Sequence, residues 1–223
     1  MSGLNNEKSV TVDENWRIEG VYPEDGWTYA ACDLETDINQ WVETEEKRLR
    51  NWWGEAWAQD EAANDLNSAA LRDAYNAAHV PGTLIAMLHW PLPLPLPSRI
   101  RVELASGPPV TVQAWQDAGF GVDEWSGSAL GPGLKCIAAR DEVIDGVALH
   151  LSTAAYVFAN QDGGVMVTVE SGTREVFDLT LAKMPAILST LTLYLPGGVR
   201  FVASDVKGMT RNAMDEWEKV TDA

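Results

Sequence analysis

The chain has 223 residues, 46% of them hydrophobic and ten of them tryptophan, which supplies enough apolar material for a substantial core and excludes intrinsic disorder. Its 16 Lys and Arg stand against 33 Asp and Glu, a formal net charge of -17 that repels nucleic-acid phosphates and anionic lipid and favours a basic protein partner. No apolar run approaches the roughly 20 residues of a membrane helix. The opening MSGLNNEKSV lacks the basic-then-apolar pattern of a secretory signal. The expectation is a cytoplasmic protein that engages neither nucleic acid nor membrane.

Residues 1–15 are polar and are expected to form a flexible N-terminus. The stretch WRIEGVYPEDGWTY (16–29) places a Pro-Glu-Asp-Gly turn between two aromatic-rich runs and predicts a strand pair or an ordered lead-in. From Asp33, placed to cap a first turn, Leu34, Ile38, Trp41, Val42, Leu49, Trp52, Trp53, Ala56 and Trp57 recur at steps of three and four. An Ala-rich second helix follows, giving a helical pair over 33–79 that ends before Pro81-Gly82.

Beyond it the pattern becomes that of strands, over 83–170. TLIAMLHW reads as a buried strand and RIRVELA alternates charged with apolar residues; LKCIAAR, VALHLST, AAYVFAN and GVMVTVE follow. Asp145-Gly146 and Asp162-Gly163-Gly164 are the best hairpin signals. Between 105 and 133 the chain is loose in composition, yet Trp115, Phe120 and Trp125 mark an ordered excursion. A helix is expected over 176–190, with Pro185 kinking or restarting it. GVRFVAS reads as a further short strand. In 204–223, Val206, Met209, Ala213, Trp217 and Val220 fall on one stripe of an amphipathic helix.

Residues 89–107, HWPLPLPLPSRIRVELASG, alternate four prolines with three leucines. A P-x-x-P docking ligand needs prolines three apart, because the polyproline helix repeats every three residues; here they are two apart, which removes that reading. Each residue before a proline is pushed into the extended region. The run is expected to be a stiff connector or sheet edge, with leucines on one side and the missing amide donors on the other.

This order predicts an α+β domain over 16–203: an antiparallel sheet of about five to seven strands with helices packed on one face. GPGLKCIAARDEVIDGVALHLSTAAYVFANQDGGVMVTVESGT (131–173) followed by FDLTLAKMPAILSTLTL (177–193) resembles uncharacterised actinobacterial proteins whose core looks like the PsbP-type α/β sandwich. The resemblance implies a PsbP-like fold and a non-enzymatic assembly or binding role.

Little in the sequence points to chemistry. His79, His89 and His150 lack the spacing of a helical metal pair, and only His89 and His150 stand a chance of meeting, across the sheet. In WSGSALGPG the glycines stand one before and three after Ser128, which fails the spacing of a nucleophile turn. Asp141, Glu142 and Asp145 crowd a hairpin, where Asp serves the backbone. Cys32 and Cys136 read as small hydrophobes. No catalytic residue, cofactor or metal is assigned.

The most unusual stretch is EEKRLRNWWGEAW (45–57), where a basic cluster meets three tryptophans in an acidic chain. Trp53 and Trp57 share a face with Leu49 while Trp52 is turned away, so the helix is covered on two sides or leaves a Trp as an interface anchor. Arg48, Trp52, Trp53 and Trp57, with Met209 and Trp217 of the tail, are the candidate interface residues. The leading expectation is a non-catalytic interaction domain, an adaptor or accessory component of a larger assembly, with self-association open to it. An acidic inhibitor of a basic partner and a ligand binder or enzyme with a pocket between sheet and helices are the rivals.

Overall fold

The computed structural model describes residues 6–12, 16–57, 61–105, 112–144, 147–160 and 163–204. In chain order they form β1 (Asn6–Val12), β2 (Trp16–Tyr22), β3 (Trp27–Ala31), α1 (Ile38–Trp53), a 3-10 turn (Gly54–Ala56), α2 (Glu61–Ala78), β4 (Thr83–His89) and β5 (Ser98–Ala105). There follow α3 (Val112–Asp117), β6 (Gly121–Trp125), β7 (Gly133–Ile144), β8 (Val147–Asn160), β9 (Gly163–Ser171), α4 (Arg174–Leu181), α5 (Met184–Thr190) and β10 (Thr192–Tyr194). Seven strands make one antiparallel sheet in the order β3-β4-β5-β9-β8-β7-β6; β1, β2 and β10 make a second sheet, order β1-β2-β10. The α+β class read from the sequence is the observed one.

Strand alternation decides which layer each side chain joins. Met87, Ile100, Val169 and Ala154 stand in register across the large sheet and pack, with Ile85, Val102 and Tyr156, against Phe177 of α4 and Met184, Ile187 and Leu188 of α5. The small sheet closes this layer through Ile18, Tyr22 and Leu193. On the opposite face Ala86 and Leu88, joined by Trp90, meet Trp41, Val42 and Leu49 of α1 and Leu71, Ala74 and Ala78 of α2. Farther along that face Val112 of α3 covers Leu134, Cys136, Ala155 and Val157. Helices therefore lie on both faces, not one. The reason is β4, whose seven residues are all buried and demand cover on either side.

Several local expectations change with the fold. Asn6–Val12 is not a loose tail but pairs with β2 over seven positions. The two runs around the Pro-Glu-Asp-Gly turn are strands, yet they enter different sheets. Helix α1 starts at Asp37, not Asp33, because the Asp37 carboxylate accepts from the Asn39 and Gln40 amides. Pro185 sits in the first turn of α5 and restarts the helix there, as proline without an amide proton can. VALHLST and AAYVFAN are one continuous strand, β8. Residues 201–204 form no strand, although Phe201 and Ala203 are buried and Phe201 donates its amide to the Leu193 carbonyl at 2.7 Å. The Pro-Leu run is a connector between neighbouring strands β4 and β5, with no strand of its own. The turn residues Asp145, Gly146 and Asp162 and the tail from 205 lie outside the described residues.

Gly26 and Trp90 tie the two halves of the large sheet's first edge together. The Trp90 amide donates to the Gly26 carbonyl at 2.7 Å. Gly26 has φ +73, and a Cβ there would stand 2.6 Å from the Trp90 carbonyl oxygen, a backbone atom that cannot step aside. Gly26→Ala is expected to destabilise the protein by about 2 kcal/mol or more; urea unfolding of the two proteins checks this.

Candidate functional site

Helix α1 turns Trp41, Val42 and Leu49 inward, and this fixes the directions of the residues that follow. Arg48 points at the turn before β3. Its guanidinium donates to the Glu24 carbonyl at 2.9 Å, to the Trp27 carbonyl and to the Glu45 carboxylate at 2.7 Å. It clasps α1 to the turn before β3 while staying part-exposed. Gly54, at φ 56, ends the helix, and the 3-10 turn carries Trp57 back into the core against Trp90, ring centroids 6.2 Å apart. Trp57 is 4% exposed and so leaves the set of interface candidates.

Trp52 stays outside, 50% exposed, in edge contact with the half-buried Trp53 at 6.4 Å. Its indole nitrogen stands 3.9 Å from where a Gly26 Cβ would lie, beside the Trp90 backbone from which the Pro-Leu connector departs. Along that connector Leu94 and Leu96 are 46% and 48% exposed. Leu66, exposed on α2, is next in sequence to Asn67, whose side-chain oxygen accepts from the Trp90 indole at 3.1 Å. Trp52 thus stands at the end of the fold from which the connector bearing Leu94 and Leu96 departs. The sequence does not mark the two connector leucines as exposed, because alternation with proline restricts the backbone without deciding which side meets solvent. Met209 and Trp217 lie outside the described residues.

The histidines separate. His150 on β8 faces Asp141 at 2.8 Å near the far end of the β7-β8 pair, while His89 lies on β4, with β5 and β9 between them. The two do not meet across the sheet. His79 closes α2, with its ring nitrogens at the Tyr75 and Leu34 carbonyls. Ser128 braces its own turn, donating to the Leu188 carbonyl and accepting from the Leu130 amide. Among the described residues no group of three His, Cys, Asp or Glu is placed to hold a metal ion. Burial pushes the Cys136 thiol up to about 12, with Asp123 adding to it.

His89 is the most constrained of these groups. It is 3% exposed and stacked on Trp27 at 4.1 Å, with Nδ1 2.9 Å from the Thr180 hydroxyl of α4. That hydroxyl is also 2.8 Å from both the Ser98 hydroxyl and the Val176 carbonyl. A carbonyl can only accept, so Thr180 donates to Val176 and receives from Ser98 and from Nδ1–H of a neutral ring. Burial, reinforced by the Lys183 charge, lowers its pKa to about 3. The arrangement pins α4 to the sheet.

Among the described residues no helix is long and apolar enough to cross a membrane. Comparison with models of known protein families, with curated proteins and with solved structures found no match. The resemblance to PsbP-type domains accordingly rests on the residues between 131 and 193 alone.

Because the unfolded chain takes up the His89 proton near 6.5 and the folded chain only near 3, the folded state loses stability as pH falls through that window and is unaffected above it. Between pH 7 and pH 5 the loss from this group is expected to be about 2 kcal/mol. Urea unfolding of the wild type and His89→Gln at both values checks it: the pH-dependent part of their difference should carry that sign and size.

Proposed function

We propose that this chain is a non-catalytic interaction domain, an accessory component of a larger assembly that docks a basic protein partner. The observation that carries the reading is the exposed end built from Trp52, Leu94 and Leu96. An indole is a strong contact anchor when a partner desolvates it, and a proline-stiffened loop presents leucines with little conformational freedom left to lose on binding. Acidic side chains edge the same end: Glu24, Asp25 and Glu55 are exposed around the Gly26 turn and the 3-10 turn. Arg48 of α1 is engaged by the Glu24 carbonyl and the Glu45 carboxylate. With a net charge of -17 behind this rim, a cationic partner is steered toward it and an anionic one away.

Capture from the native cell with wild-type bait, Trp52→Ala and the double variant Leu94→Ser/Leu96→Ser tests the proposal. A basic protein should be retained by the wild type at about 0.1 M salt and released as salt rises. Both variants should lose it while melting within about 3 °C of the wild type. Retention unchanged in both variants overturns the reading. So does a large fall in the melting temperature of Trp52→Ala, which would place that indole in the folding core.

A further inference from the structure

The face of the large sheet that carries α1 and α2 at one side and α3 at the other leaves a seam between them, floored by β5 and β9. Alternation brings Arg99, Arg101 and Glu103 of β5 to this face, with Glu170 in register beside Arg99 and Thr168 beside Arg101. Where the seam meets α2 there is a recess of about 300 Å³, bounded by Asp73, Ala74 and Ala77 of α2, Ala86 and Leu88 of β4, Arg99 and Arg101, and Glu170. On its apolar side Ala77 is part-exposed, while Ala74, Ala86 and Leu88 are buried beneath it.

Its polar side is not uniform. Arg99 gives one nitrogen to Asp73 at 2.9 Å and Arg101 gives one to Glu103 at 3.2 Å. A guanidinium has five N–H donors in a fixed fork, so each keeps donors beyond its ion pair. The two arginines are about 7 Å apart along one strand face, a spacing a single carboxylate can bridge with its two oxygens. Glu170, across the strand pair, is an exposed carboxylate suited to an ammonium group. Positive donors, a negative acceptor and a small apolar wall thus converge on one recess of amino-acid size. A ligand with no net charge also escapes repulsion by the acidic chain, which a simple anion does not.

We propose that this recess binds a free α-amino acid with an apolar side chain: its carboxylate between Arg99 and Arg101, its ammonium on Glu170, its side chain against Ala77 and the rim of the recess. The site is separate from the Trp52 end and does not depend on it.

Thermal unfolding and calorimetry with L-leucine, leucinamide and 4-methylpentanoate test this on the full chain and on Arg101→Ala and Glu170→Gln. Leucine should raise the melting temperature with dose. Leucinamide, without the carboxylate, and 4-methylpentanoate, without the ammonium, should each bind at least about tenfold more weakly, and each variant should lose a similar factor for leucine. Glu170 is exposed and Arg101 half-buried, and the unliganded melting temperatures of the two variants check folding. The proposal is overturned by the absence of any shift with leucine up to about 10 mM. Equal binding of either analogue, or leucine binding unchanged in both variants, overturns it as well.

Discussion

Strand β4 is buried along its whole length and on both of its faces, and the rest of the molecule can be read as the response. A strand with Ile85 and Met87 on one side and Ala86 and Leu88 on the other must be covered twice. Each side chain of Leu or Met size buried in this way contributes roughly 1.5–3 kcal/mol. One cover is the α1-α2 pair, whose buried alanines 70, 74 and 78 let the second helix lie close to the strand. The other is α4 and α5 with the small sheet. The two covers come from opposite ends of the sequence, so the fold closes only when distant segments meet across the same strand.

The polar features follow from that closure. Arg48 satisfies carbonyls of the turn that leads into β3, and the His89–Thr180–Ser98 cluster satisfies hydroxyls that the second cover would otherwise strand. These bonds place α1 and α4 rather than adding much net stability, since each replaces bonds to water. On the face that carries α1 and α2, that pair lies over β3 and β4, and Arg99, Arg101 and Glu170 of β5 and β9 reach solvent beside it.

Much of the architecture was legible in the sequence because two periods are easy to separate. The helical spacing from Leu34 to Trp57 and the alternation of RIRVELA and GVMVTVE gave helix pair and strands in the right order. What was not legible depended on partners far away. Nothing in SVTV or LTLY distinguishes a ladder from a tail or a helix end until β2 stands between them. Helices on two faces could not be told from helices on one, because TLIAMLHW is uniformly apolar and has no alternation to assign a side. Helical geometry turns Trp52 away from Trp53 and Trp57, but the burial of each depends on Gly54, which ends α1 and sends Trp57 inward. Arg99 and Arg101 are visible in the sequence as charges on one strand face; that α2 brings Asp73 within 2.9 Å of Arg99 is not.

The alternating prolines bear on how this closure begins. Residues 90–97 join two strands that lie side by side, and a connection of that length ordinarily spends conformational freedom when its ends are brought together. Four fixed φ angles, and four preceding residues restricted by them, remove much of that freedom before any contact forms. The ordering that remains when His89 pairs with Ser98 is smaller than for an unrestricted connection of the same length. The step that sets β5 beside β4, on which both covers depend, therefore draws less on conformational entropy than its loop length alone implies.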